Sequence, residues 1–213
     1  MNLQKIVETD SELLKNSENL AVYFANQLNL IKDLELRNFV FSFILDKGKF
    51  KMEKPTSSTG KYHPDWQNGY GGNGRHTKNV VKILQVFERA YPDLDWDSLY
   101  IAGILHDLSK YETEDDKHTN ANHPKLAAEQ LWSFYNTHKQ FLSPVRLKKR
   151  QIKFICNLIQ FHDGRFNSDC VTKDQIKNGY TKGMRKKLRH VENYILHSAD
   201  MISANKALWD EII

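Results

Sequence analysis

The apolar run Leu99-Tyr100-Ile101-Ala102-Gly103-Ile104-Leu105 ends in the pair His106-Asp107, and no other feature constrains this chain so tightly. The run reads as a hydrophobic helix. A histidine and an aspartate at its close are costly to bury without a partner, and a metal ion is the partner that uses both. His76, His123, His162 and Asp200 also sit near or within apolar stretches of helical period.

Almost all of the chain carries helix signals and none of it alternates like a strand, which predicts an all-α, single-domain helical bundle. Helices are expected over Ser11 to about Leu30, Asp33 to about Asp46, Arg75 to Ala90, and Asp97 to about Leu108. Three more are expected over His123 to about Lys139, Ser143-Pro144 to about Phe161, and about Arg189 to Trp209, with one short helix somewhere in 167–187. Asp95 or Asp97 suits the cap of the apolar helix. Residues 47–75 hold Lys54-Pro55 and Gly69-Tyr70-Gly71-Gly72-Asn73-Gly74, too many breakers for regular structure. The expected layout is therefore N-terminal helices over 1–46, packed on the core, then a loop or lid over 47–75, and a helical core over 76–213.

With 213 residues the chain has enough length for a real core, and its aromatic content argues against disorder. It shows neither a membrane-spanning run nor a signal-peptide pattern, so a cytoplasmic protein without a membrane partner is expected. Cys156 and Cys170 are too few for a disulfide framework or a thiolate zinc site. The net charge of +5 is uneven: residues 139–189 hold fourteen Lys or Arg against three Asp. A field of that sign favours phosphate-bearing partners such as nucleotides or nucleic acid, although a basic helix face is also ordinary solvated surface.

Helical spacing sorts the candidate ligands. His76 shares a face with Val80, Ile83, Leu84 and Phe87, and His106 with Leu99, Ala102 and Gly103. His123 lines up with Ala127, Leu131 and Phe134, and His162 with Ile152, Ile155 and Ile159. Asp200 lies one turn from Leu196 and Ala204. One histidine on an apolar stripe is ordinarily a hydrogen-bonded core residue. Four of them with two carboxylates facing one interior call for a transition metal, and a bridging carboxylate can hold two such ions.

The order His76, His106-Asp107, His123, His162, Asp200 resembles the HD-domain superfamily of metal-dependent phosphohydrolases. Local sequence carries the resemblance: Arg75-His76-Thr77, Leu105-His106-Asp107-Leu108-Ser109-Lys110, His123-Pro124, Phe161-His162-Asp163-Gly164 and Ala199-Asp200-Met201. It covers roughly residues 55–205. The stretch from Pro55 to His76, with Lys61-Tyr62-His63-Pro64 and Gly71-Gly72, is most similar to HD domains of bacterial 3′-end exoribonucleases. Those carry an OB-fold ahead of the HD domain, where this chain has helices. A second departure is His162-Asp163, where a His-His pair is usual.

The resemblance implies one or two divalent transition metal ions (Mn, Fe, Ni or Co, with Mg possible). His76, His106, Asp107 and Asp200 would hold one ion, and Asp107 would bridge to a second held by His123 and His162. The implied reaction is attack of metal-activated water on a nucleotide or oligonucleotide phosphoester or phosphoanhydride. Asp107 and Lys110 are the implied catalytic residues, and Arg75, Lys110 and Arg165 the implied phosphate ligands, with surface ion pairs as the competing account for the arginines. Two other readings share these residues. One is an HD-type di-iron oxygenase. The other is a non-catalytic module that binds nucleic acid or a partner around a structural metal.

Overall fold

The computed structural model describes residues 3–138, 148–164 and 190–212, and among them every regular element is helical. In chain order these are α1 (Leu3–Asn16), α2 (Leu20–Tyr23), α3 (Ala25–Leu28), α4 (Leu34–Leu45) and α5 (Phe50–Glu53). A 3₁₀ turn (Asp65–Gln67) is followed by α6 (Gly72–Ala90), α7 (Trp96–Leu105), α8 (His123–His138), α9 (Lys149–Gln160), α10 (Val191–Ala204) and α11 (Lys206–Ile212). No helix of the described residues is long and apolar enough to cross a membrane.

Helix α7 is the axis of the bundle. Nine of its ten residues are buried, as a helix apolar all round requires, and α3, α6, α9 and α10 pack around it. Asp95 caps it by accepting from the Ser98 amide. The other candidate cap, Asp97, instead accepts from the Lys32 and Asp33 amides and so ties the start of α4 to α7. Gly103 sets the distance between α6 and α7: a Cβ there would lie 2.7 Å from Leu84 Cδ1. That close approach brings the first turns of α6 against the end of α7. One hydrophobic core runs from Leu14 in α1 to Ala199 in α10, so the N-terminal helices share it with the rest.

The structure departs from the sequence expectations at three places. The continuous helix over Ser11–Leu30 is absent. α1 starts earlier and stops at Asn16, because Asn19 caps a new helix through the Val22 amide while Lys49 Nζ takes the free carbonyls of Leu14, Lys15 and Ser17. The final helix breaks at extended Asn205 into α10 and α11. Residues 47–75 are not all loop: α5 and the 3₁₀ turn lie there, and Gly72 to Gly74 form the first turn of α6. Gly72 is required for fit, since a Cβ would meet the Gln67 carbonyl oxygen at 2.0 Å. The expected helix start at Ser143-Pro144, the short helix in 167–187, Arg165 and most of the basic region lie outside the described residues.

The segment between α5 and α6 is held down by buried polar anchors. Lys51 Nζ donates to the Tyr111 carbonyl, Tyr111 Oη to the Pro55 carbonyl, and Lys54 Nζ to the carbonyls of Glu114 and Asp116. Trp66 packs edge-on against Trp209 of α11. Residues 61–63 of this segment line a cavity beside the core.

Candidate metal centre

Helix ends meet at one point beside the core. α6 brings His76 in its second turn, α7 ends at His106-Asp107, α8 begins at His123, α9 ends just before His162, and α10 brings Asp200. All four histidines and Asp107 are buried. The sequence-expected ligands therefore come together.

Their orientation is set by the far ring nitrogen. Nδ1 of His106, His123 and His162 each lies 2.8 Å from the carbonyl three residues upstream, at Gly103, Asn120 and Ile159. Nδ1 of His76 lies 3.0 Å from Ser203 Oγ and 3.2 Å from Gln67 Oε1. With Nδ1–H donated outward, each Nε2 is left turned inward toward the cluster.

The Nε2 atoms and carboxylate oxygens form two groups around Asp107. Oδ2 of Asp107 lies 3.5 Å from His76 and 3.4 Å from His106, and Asp200 Oδ1 is 2.9 Å from His76. Oδ1 of Asp107 lies 3.0 Å from His123 and 3.6 Å from His162. Asp163 Oδ1 joins this second group, 3.1 Å from His162 Nε2. Donors sharing an ion at ~2.1 Å stand ~3.0–3.4 Å apart, so both groups fit a divalent cation. Ligand atoms set against each other support the fit. His123 Nε2 and Asp107 Oδ1 are buried and face each other at 3.0 Å with no other hydrogen-bond partner, and His76 Nε2 faces His106 Nε2 at 3.3 Å. Lone pairs set against lone pairs require a proton or a cation between them.

The electrostatics agree. Burial pushes the His76 imidazole down to about 4 and holds His106 below its ordinary value, so both are neutral at pH 7. Burial would raise Asp107, but the adjacent His106 and Lys110 hold it well below the usual carboxylate range. At His162 burial is outweighed by Asp163 and Asp107, and the imidazole is held well above its ordinary value. In the absence of metal a proton occupies that position.

A cavity of about 930 Å³ opens onto the cluster, with Lys61, Tyr62, His63, Lys110 and Lys206 among its walls. Lys110 Nζ lies 2.5 Å from Asp107 Oδ2. Arg75 is not part of the cavity wall. Successive helical residues are ~100° apart, and next to inward-facing His76 its guanidinium donates instead to the Trp66 and Asn68 carbonyls and to Ser11 Oγ. Arg75, expected as a phosphate ligand, here braces residues 66–68 and α1 against α6.

Three supporting residues lie outside the sequence-expected ligand set. Gln67 Oε1 receives Nδ1 of both His63 (3.0 Å) and His76, while its Nε2 donates to the Ser203 carbonyl (3.0 Å). Ser203 closes the same network, and His197 Nδ1 donates to the His162 carbonyl at 2.7 Å. Gln67→Leu should therefore weaken metal binding by about 10- to 100-fold while α7 and the core stay intact, which a metal titration read beside thermal unfolding checks.

No curated protein and no solved structure matches the chain significantly. The HD domain family profile matches residues 73–205, a span that opens beside His76 and closes just past Asp200. Proteins of this kind are typically metal-dependent phosphohydrolases. The ordered ligands, their convergence at helix ends and this match over more than half of the sequence make the chain a member of the HD-domain family.

Proposed function

We propose that the chain is a phosphohydrolase that cleaves a phosphoester or phosphoanhydride of a nucleotide or oligonucleotide at two divalent ions bridged by Asp107. The observation that carries this reading is the Asp107 carboxylate, whose two oxygens face two separate imidazole pairs at the floor of an open cavity. His76, His106 and Asp200 would hold one ion, and His123 and His162 the other. Bound there, such ions polarise a phosphoryl oxygen and acidify water near neutral pH.

The chain's own residues supply the rest. Lys110 is cationic: burial lowers it, but Asp107 and Asp200 outweigh this and hold it above its ordinary value. Once Asp107 is engaged by ions, Lys110 Nζ is placed to bind a phosphoryl oxygen. Burial keeps His63 below its ordinary value and hence neutral; with Nδ1 committed to Gln67 its Nε2 is left as an acceptor, and the side chain lines the cavity. Tyr62 is 67% exposed at the rim, with Lys61 5.4 Å from its ring centroid, a surface on which a base can stack. Lys206 ties that rim down through Asp65 and through its amide to the Tyr62 carbonyl.

The direct test is phosphate or nucleotide release from nucleoside mono- and triphosphates and short oligonucleotides with manganese, under anaerobic conditions. Turnover that is lost with chelator is expected. Inactivity on every phosphoester, together with iron-dependent oxygen consumption, would overturn the reading in favour of oxygenase chemistry.

Proton linkage should separate the two positions. His162 must lose its proton to act as a ligand, so the second ion should displace about one proton near pH 7. Its apparent affinity should rise about tenfold per pH unit until the pH passes the His162 value. The position built on neutral His76 and His106 should bind with no such linkage above about pH 6.5. Calorimetric titrations in buffers of different ionisation enthalpy distinguish the two.

A further inference from the structure

We propose that Asp163 is a direct ligand of the second metal position, and that it makes the two positions chemically equivalent, so that both take the same oxygen-preferring ion of the manganese(II) or iron(II) class. The inference rests on the two-ion reading above. Nitrogen donors favour zinc and nickel, whereas carboxylates shift preference toward manganese and magnesium. A histidine at position 163 would give the second position three imidazoles. With Asp163 the set is His123, His162, one oxygen of Asp107 and Asp163, matching His76, His106, the other oxygen of Asp107 and Asp200 on the opposite side.

Geometry distinguishes a ligand from a supporting residue. A carboxylate that only orients an imidazole bonds the nitrogen remote from the metal. At His162 that remote nitrogen, Nδ1, is already held by the Ile159 carbonyl. Asp163 Oδ1 instead faces Nε2, the nitrogen turned toward the cluster, at 3.1 Å. Donor atoms of His123, His162 and Asp163 all lie within 4.8 Å of one another. The gap among them is bordered by His123 Nε2 and Asp107 Oδ1, buried 3.0 Å from each other with no other hydrogen-bond partner. His197 fixes the backbone at this point through the His162 carbonyl, and the Asp163 side chain reaches the cavity.

Charge supports the same assignment. Two divalent ions and the Lys110 ammonium against Asp107 and Asp200 alone would leave a formal charge of +3 at the edge of the core, and Asp163 reduces it to +2.

The test is a manganese(II) titration of chelator-treated full-length protein, followed by the free-ion electron paramagnetic resonance signal and by the spectrum of the bound ions. Wild type should bind two manganese ions per chain as a spin-coupled pair. Asp163→Asn, nearly isosteric, should keep one ion, weaken the second by more than about 100-fold and lose the coupled spectrum. Asp163→His should keep two positions but shift the zinc-to-manganese affinity ratio at one of them further toward zinc than in the wild type. Two manganese ions in Asp163→Asn with affinities within about threefold of wild type would overturn the proposal, as would a wild type that binds one ion which Asp163→Asn binds equally well. A wild type that binds no manganese would instead overturn the two-ion reading on which the proposal stands.

Discussion

Asp107→Asn should lower metal-dependent turnover by at least about 1,000-fold and remove the thermal stabilisation that manganese gives the wild type. The magnitude follows from the position of one carboxylate. Its two oxygens serve two groups of donors, so an amide in its place weakens both metal positions together, whereas loss of His123 or Asp200 weakens one. The variant also leaves the Lys110 ammonium without its nearest counter-charge, which should cost the metal-free protein about 3–5 kcal/mol. Thermal unfolding with and without manganese separates the effects. Wild type should gain stability on adding the ion, and the variant should start lower and gain little. A variant that responds to manganese like the wild type would remove Asp107 from the metal centre.

The second large effect is expected at Lys110. Lys110→Met should reduce kcat/KM for a phosphoester by about 100-fold, since a preorganised cation on a phosphoryl group is worth a few kcal/mol. Metal stoichiometry should stay at the wild-type value, because Lys110 offers no lone pair to an ion while it is protonated. Lys110→Arg keeps the charge and should recover part of the loss. If Lys110→Met instead changes metal content and leaves kcat/KM of the fully loaded protein untouched, the lysine only holds Asp107 in place. Kinetics at saturating manganese beside metal analysis tell these apart.

Why some of this was legible in the chain and some was not has physical reasons. The apolar run into His106-Asp107 is informative because a helix buried on all sides must end at the core boundary, where α7 delivers both side chains to the cluster. His76, His123, His162 and Asp200 could be placed because each shares a helix face with core residues, and that face decides direction. The same logic explains Arg75. Adjacency in sequence to His76 suggested adjacency in space, yet one step along a helix turns the side chain away from the site.

Gln67 and His63 left no trace in the helical period because they lie in the segment of glycines and prolines between α5 and α6. Their role follows from tertiary contacts across to Ser203 and His76. The glycines there have the composition of breakers, but at Gly72 the requirement is close packing against Gln67 within a helical turn. Asp163 was visible in the sequence only as a departure from a His-His pair. Its position facing Nε2 of His162, which gives it a metal-binding role in the present account, depends on where the chain turns after α9.

The central claim is that Asp107 joins two metal positions at the floor of the cavity. Anomalous X-ray scattering from crystals grown with manganese(II) tests it most directly. The account predicts two peaks, one among His76, His106 and Asp200 and one among His123, His162 and Asp163, with one oxygen of Asp107 toward each. Crystals holding saturating manganese that show one peak or none in contact with Asp107 would contradict it.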